Sequence, residues 1–169
     1  MTDPWRGILK IDYIQHIRDG KVIWEDRNIK NTLHQFGEAF LLTACFSNDG
    51  SVVPETYHFG LDNRATIQIS DTISSLVDEP ETGGYSRQSV SSVSGFTIES
   101  VEGIYRATSP ILIFTGSGSG FGPVSKLFMA TTADNTGILI SSAPLSSSIT
   151  FASGDTVNLK MSLRLHDCP

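Results

Sequence analysis

Charge is scarce in this chain. Asp, Glu, Lys and Arg make up 18% of its 169 residues, and the balance is acidic, with a formal net charge of −6. The twelve Lys and Arg residues are scattered. No basic patch forms, which argues against a nucleic-acid partner, because phosphates call for clustered cations. Cysteine is nearly absent, with Cys45 and Cys168 the only two. A disulfide between them is conceivable, but two idle thiols in a reducing cytosol are the expected state. No apolar run approaches the roughly 20 residues of a spanning helix, so no transmembrane helix is expected. The opening Met1-Thr2-Asp3-Pro4-Trp5-Arg6 also lacks the charged-then-apolar layout of a secretory signal.

What the chain does have is Ser, Thr, Asn and Gly between short apolar runs, a composition suited to antiparallel strands and turns. Residues 7–27 read as a β-hairpin turning at Asp19-Gly20. The one helical stretch spans 32–46. Asn31 or Thr32 can cap it, and Thr32 and Gln35 have capping-box spacing. Leu33, Phe36, Phe40, Leu41 and Ala44 line one face, widened by Leu42 and Phe46. Gly37 costs helix stability and allows close backbone approach. A strand over 56–61 follows, then a short helical turn from Asp71 to Leu76.

From Tyr85 onward the pattern is nearly all strand: 87–90, 96–101, 104–108, 111–115, 124–131, 137–141, 148–152 and 156–165. The last alternates most clearly, with Val157, Leu159, Met161, Leu163 and Leu165 on one side. The expected fold is mainly β: an antiparallel β-sandwich, jelly-roll-like, with one α-helix near 32–46 and an N-terminal β-hairpin. Residues 1–30 form a hairpin or arm, and 31–169 form the sandwich of a single domain.

Residues that would carry chemistry do not converge. The glycine run Gly116-Ser117-Gly118-Ser119-Gly120-Phe121-Gly122 follows a strand, as a dinucleotide fingerprint would, but Pro123 and a β pattern follow where a helix must open. It reads as a strand-to-strand loop. His16, His34, His58 and His166 sit in no triad context, and no carboxylate spacing marks a general acid and base. His34 and Glu38 lie four apart without partners at metal-ligand spacing, and read as an exposed pair. The Asp78-Glu79-Pro80-Glu81 cluster lacks the alternating spacing of a calcium loop. No catalytic residue, metal or cofactor is expected. Tyr57, Tyr85, Tyr105 and Phe121 offer a glycan-stacking surface or, alternatively, packing residues.

Several segments in order carry a family resemblance. They are Asn31-Thr32-Leu33-His34 with Gly37-Glu38, Tyr57 to Arg64, Asp71-Thr72, Glu79-Pro80, Gly84-Tyr85-Ser86-Arg87-Gln88, Gly122-Pro123-Val124, Leu127 to Thr132 and Gly137 to Ala143. Over roughly residues 20–165 the chain resembles small virion structural proteins of tailed bacteriophages. The resemblance implies a particle component assembled in the host cytoplasm, with no catalytic residues to transfer. Its expected role is a capsid cement or decoration protein. The expected partners are the major capsid protein or other virion subunits, and further copies of the chain, with a trimer favoured. A tail, neck or baseplate component is the alternative, and a receptor- or glycan-binding module is a third. Ser117, Gly118, Ser119, Gly120 and Phe121 are the expected contact with a neighbouring subunit.

Overall fold

The computed structural model describes residues 8–47 and 53–164. Eleven strands run in chain order: β1 (Ile8–Arg18), β2 (Lys21–Lys30), β3 (Thr32–Leu33), β4 (Thr56–Asp62), β5 (Gln88–Ser91), β6 (Thr97–Val101), β7 (Ile104–Thr108), β8 (Leu112–Thr115), β9 (Phe121–Ala130), β10 (Leu139–Phe151) and β11 (Thr156–Arg164). One helix, α1 (Gln35–Phe46), lies between β3 and β4. The strands form two antiparallel sheets. The first has the order β2-β1-β11-β7-β6, with β8 sharing an edge of β11, and the second β3-β10-β9-β4-β5. The expected mainly-β sandwich with one helix is what forms.

Alternation drives the packing. Val157, Leu159 and Met161 of β11 are all buried, as a two-residue period with one wet face requires. In β1 the buried residues Ile11 and Ile14 are three apart. A register shift between Ile11 and Tyr13 accommodates Asp12 as an extra residue, and this bulge returns both isoleucines to one face. Asp19 and Gly20 both take positive φ, 50° and 73°, in the predicted hairpin turn. β1 is an interior strand between β2 and β11, so the hairpin is built into the first sheet. Phe59, Phe114 and Phe151 are buried between the sheets, where truncation of such a ring costs about 3–5 kcal/mol.

The helix departs from expectation at its start and on its faces. Thr32-Leu33 is taken by β3, which pairs with Ser142 and Ser141 of β10. The helix therefore begins at Gln35, with His34 at the N-cap making no side-chain cap bond, and the Thr32–Gln35 capping box does not form. Gly37 sits directly on β10: a Cβ there would overlap the Ile140 carbonyl oxygen. Gly37 and Phe40 face the protein. Phe36, Leu42 and Phe46, expected in the core stripe, are instead 56%, 54% and 85% exposed. The apolar residues encircle α1, and among the described residues only one side of it has a sheet to meet.

The segment between β4 and β5, residues 63–87, forms a layer against the second sheet, while Tyr85 near its end packs into the main core beside Phe114 and Phe121. Ile73 and Leu76 from this segment join Phe128, Ala130 and Leu139 in a second small core. The expected turn after Asp71 is a 3-10 turn, Ile73–Ser75, capped by Thr72 with Ser75 answering it.

Candidate functional site

Three buried polar clusters and one apolar surface stand out. The first cluster fastens the end of the 63–87 layer. Arg87 is 5% exposed and donates through Nε and Nη2 to the two oxygens of Glu79, at 2.9 and 2.6 Å. Its Nη1 reaches the Thr132 and Asp134 carbonyls at 3.2 and 2.6 Å, and Nη2 also reaches Asn135 Oδ1 at 2.6 Å. All five guanidinium N–H groups thus have acceptors. The guanidinium also lies over the Phe128 ring, 5.0 Å from its centroid. Tyr85 donates its hydroxyl to Glu79 at 2.8 Å and accepts the Leu61 N–H at 2.8 Å. Burial, aided by the Glu79 charge, holds the phenol above its ordinary range. A cleft of about 710 Å³ opens beside this clamp, lined by Asp78, Glu79, Glu81, Arg87, Asp134 and Asn135. With every Arg87 donor engaged, the clamp braces the cleft wall.

The second cluster pins the other end of the layer. His34, expected as an exposed partner of Glu38, is fully buried. Its Nδ1 lies 2.9 Å from the Gln68 carbonyl, which can only accept, so Nδ1 carries the proton. Nε2 then accepts from Ser142 Oγ at 2.7 Å, and Arg64 donates to the same oxygen. Burial, aided by the Arg64 charge, keeps the His34 pKa below its usual value. Arg64 also lies 3.3 Å from both Asp62 and Asp71. Asp62 is fully buried, and burial raises its pKa from 3.8 to about 6 despite the Arg64 charge. A serine hydroxyl on an imidazole is the pairing of a hydrolase, but Ser142 is 1% exposed and no substrate carbonyl can reach it.

The third cluster joins β1 to the β10–β11 turn. Asp155 is 2% exposed and accepts from Arg18 Nε and Nη2 at 2.8 and 2.7 Å and from the Ala152 N–H at 2.8 Å. His16 Nε2 lies 2.7 Å from the same carboxylate, and its ring meets Phe151 edge-on at 4.5 Å. The Arg18 hydrogen bonds, with His16 behind them, hold the Asp155 carboxyl well below the usual range.

The glycine run joins β8 to β9, as its sequence predicts. The Ser117 N–H donates to the Gly83 carbonyl at 2.8 Å, and a Cβ on Gly83 would overlap the Gly120 carbonyl. Ser117, Gly118 and Ser119 form an exposed tip, whereas Gly120 and Phe121 are buried. Phe121 belongs to the core, with its ring 5.5 Å from Tyr85 and 4.8 Å from Phe151, and cannot serve as a surface contact. The aromatic residues proposed for glycan stacking do not share a surface. Tyr57 packs on Phe40 and Phe96, Tyr85 and Phe121 are in the core, and Tyr105 is exposed. Cys45 is exposed, while Cys168 and His166 lie outside the described residues. Among the described residues no group of three or more His, Cys, Asp or Glu side chains could hold a metal ion.

The apolar surface has two parts, the outer face of α1 and a groove of about 170 Å³ between the sheets. Leu41 from α1, Tyr57, Phe96, Ile98, Ala107 and Leu163 form its walls. No protein-family model matches the chain, and no curated protein is similar to it.

Proposed function

We propose that this chain is a structural subunit of a tailed-phage particle, a capsid cement protein that bridges neighbouring capsid subunits on the outside of the head. The observation that carries the assembly part of this reading is the outer face of α1. A helix apolar on all sides is normally covered on all sides. Here Phe36, Leu42 and Phe46 face outward with Glu38 as the helix's one charged residue. Exposed apolar surface of this kind marks a contact with another chain.

The remaining support is the ordered resemblance to phage structural proteins and the acidic, weakly charged composition, which suits a particle's exterior better than its DNA-facing lumen. The cement works physically. Modest contacts repeated by symmetry over the shell resist the pressure of the packaged genome, and the exposed tip at Ser117, Gly118 and Ser119 is a second point of contact. The buried clusters suit this work, because they tie the 63–87 layer and β1 to the sheets.

Counting copies of the chain in purified particles by quantitative mass spectrometry tests the reading. Hundreds of copies per particle are expected. A dozen or fewer would move the chain to the neck, tail or baseplate, and none would remove it from the virion.

A further inference from the structure

The geometry points to a second copy of this chain as the occupant of the apolar surface, with Phe46 of one copy seated in the groove of another. This contact rests on the assembly reading and names its first partner.

Phe46 is a knob. It ends α1 and is 85% exposed, which makes it the most exposed aromatic among the described residues. The groove is a hole of matching kind. Its volume of about 170 Å³ is close to that of an apolar cavity, about 150 Å³, known to accept a benzene ring. Its walls are aliphatic and aromatic, and its one hydroxyl-bearing neighbour besides Tyr57 is Ser92. Knob and hole share an element: Leu41, five residues before Phe46 on α1, lines the groove. Each copy therefore carries both halves of the contact, and copies can exchange them by symmetry and close into a small oligomer.

The area is sufficient. Large apolar side chains offer about 150–250 Å² each. At exposures of 56%, 54%, 85% and 68%, Phe36, Leu42, Phe46 and Ile98 supply apolar surface on the order of 500 Å² per copy. Two copies together reach about 1,000 Å², where specific interfaces begin. Glu38 is the single charge on α1, so little charged surface loses its water.

Sedimentation velocity of the full chain over about 1–100 µM tests the contact. The wild type is expected to self-associate. Phe46→Ser removes the knob, and Ala107→Phe fills the hole. Each is expected to weaken association at least about 30-fold, the scale of a central anchoring residue. Phe46→Ser should leave the circular dichroism spectrum and melting temperature of the monomer unchanged, because the side chain is solvent-exposed. If Ala107→Phe does not fold, hydrogen exchange of the wild type replaces it: amides of 35–46 should exchange more slowly at high concentration than at low. A wild type that stays monomeric throughout, or a Phe46→Ser variant that associates normally, overturns the contact. A monomeric chain recovered from particles would sink this contact and leave the virion reading standing. A self-associating chain absent from particles would do the reverse.

Discussion

Arg87→Ala is expected to destabilise the protein by about 3–5 kcal/mol, the cost of breaking one partner out of a buried ion pair. The magnitude follows from what the guanidinium holds. It spans Glu79, the Thr132 and Asp134 carbonyls and Asn135, and it lies on Phe128 of the second core. Removing it leaves the Glu79 carboxylate, 18% exposed, without its counter-charge and next to the Tyr85 hydroxyl. For a chain of this size the melting temperature should fall on the order of 10 °C. Arg87→Lys should restore little, because an ammonium cannot reproduce the five-donor fork. Thermal and urea unfolding of both variants check this. A loss below about 1 kcal/mol for the alanine variant would mean that the clamp is dispensable.

Stability should also depend on pH through Asp62. Its pKa rises from 3.8 to about 6 in the folded protein. A carboxyl with a raised folded pKa favours folding most when protonated. The contribution is complete below about 3.8 and is lost as pH rises through about 6. The swing is about 3 kcal/mol at most. Two other groups act in the opposite direction. His34, with its pKa held down, and Asp155, with its carboxyl held down, both favour folding at higher pH and withdraw that support as the solution becomes acid. The isolating quantity is therefore the difference between wild type and Asp62→Asn. Asparagine keeps the oxygen that accepts the Arg64 N–H at 3.1 Å but carries no charge. Relative to wild type, the variant should gain about 2 kcal/mol between pH 4.5 and pH 7.5, the part of the swing that falls in that window. A difference that is flat across that range would show that Asp62 stays in one protonation state.

Much of the fold was legible in the sequence because it rests on local period. The alternation of β11, the Asp19-Gly20 turn and the strand on each side of the glycine run are written in adjacent residues. Local pattern falls short where distant chain decides the outcome. Thr32 and Leu33 look helical until Ser141 and Ser142, more than a hundred residues later, offer a strand partner. Ile11 and Ile14 look out of phase until the bulge at Asp12 realigns them. His34 carries no sign of burial because its partners Gln68 and Ser142 come from two other segments. Phe36, Leu42 and Phe46 misled for a different reason. Periodicity shows that a helix is apolar on a face, but it does not say whether the same chain covers that face. The buried clusters thus left no local pattern, while the α1 surface was visible as an excess of apolar residues assigned to the wrong side.

A reconstruction of the intact phage particle at side-chain resolution tests the central claim most directly. The claim predicts density for this chain on the outside of the head, with the Phe36–Phe46 face of α1 covered by a neighbouring chain. A particle in which that face meets only solvent in every copy, or which contains no such density, would contradict it.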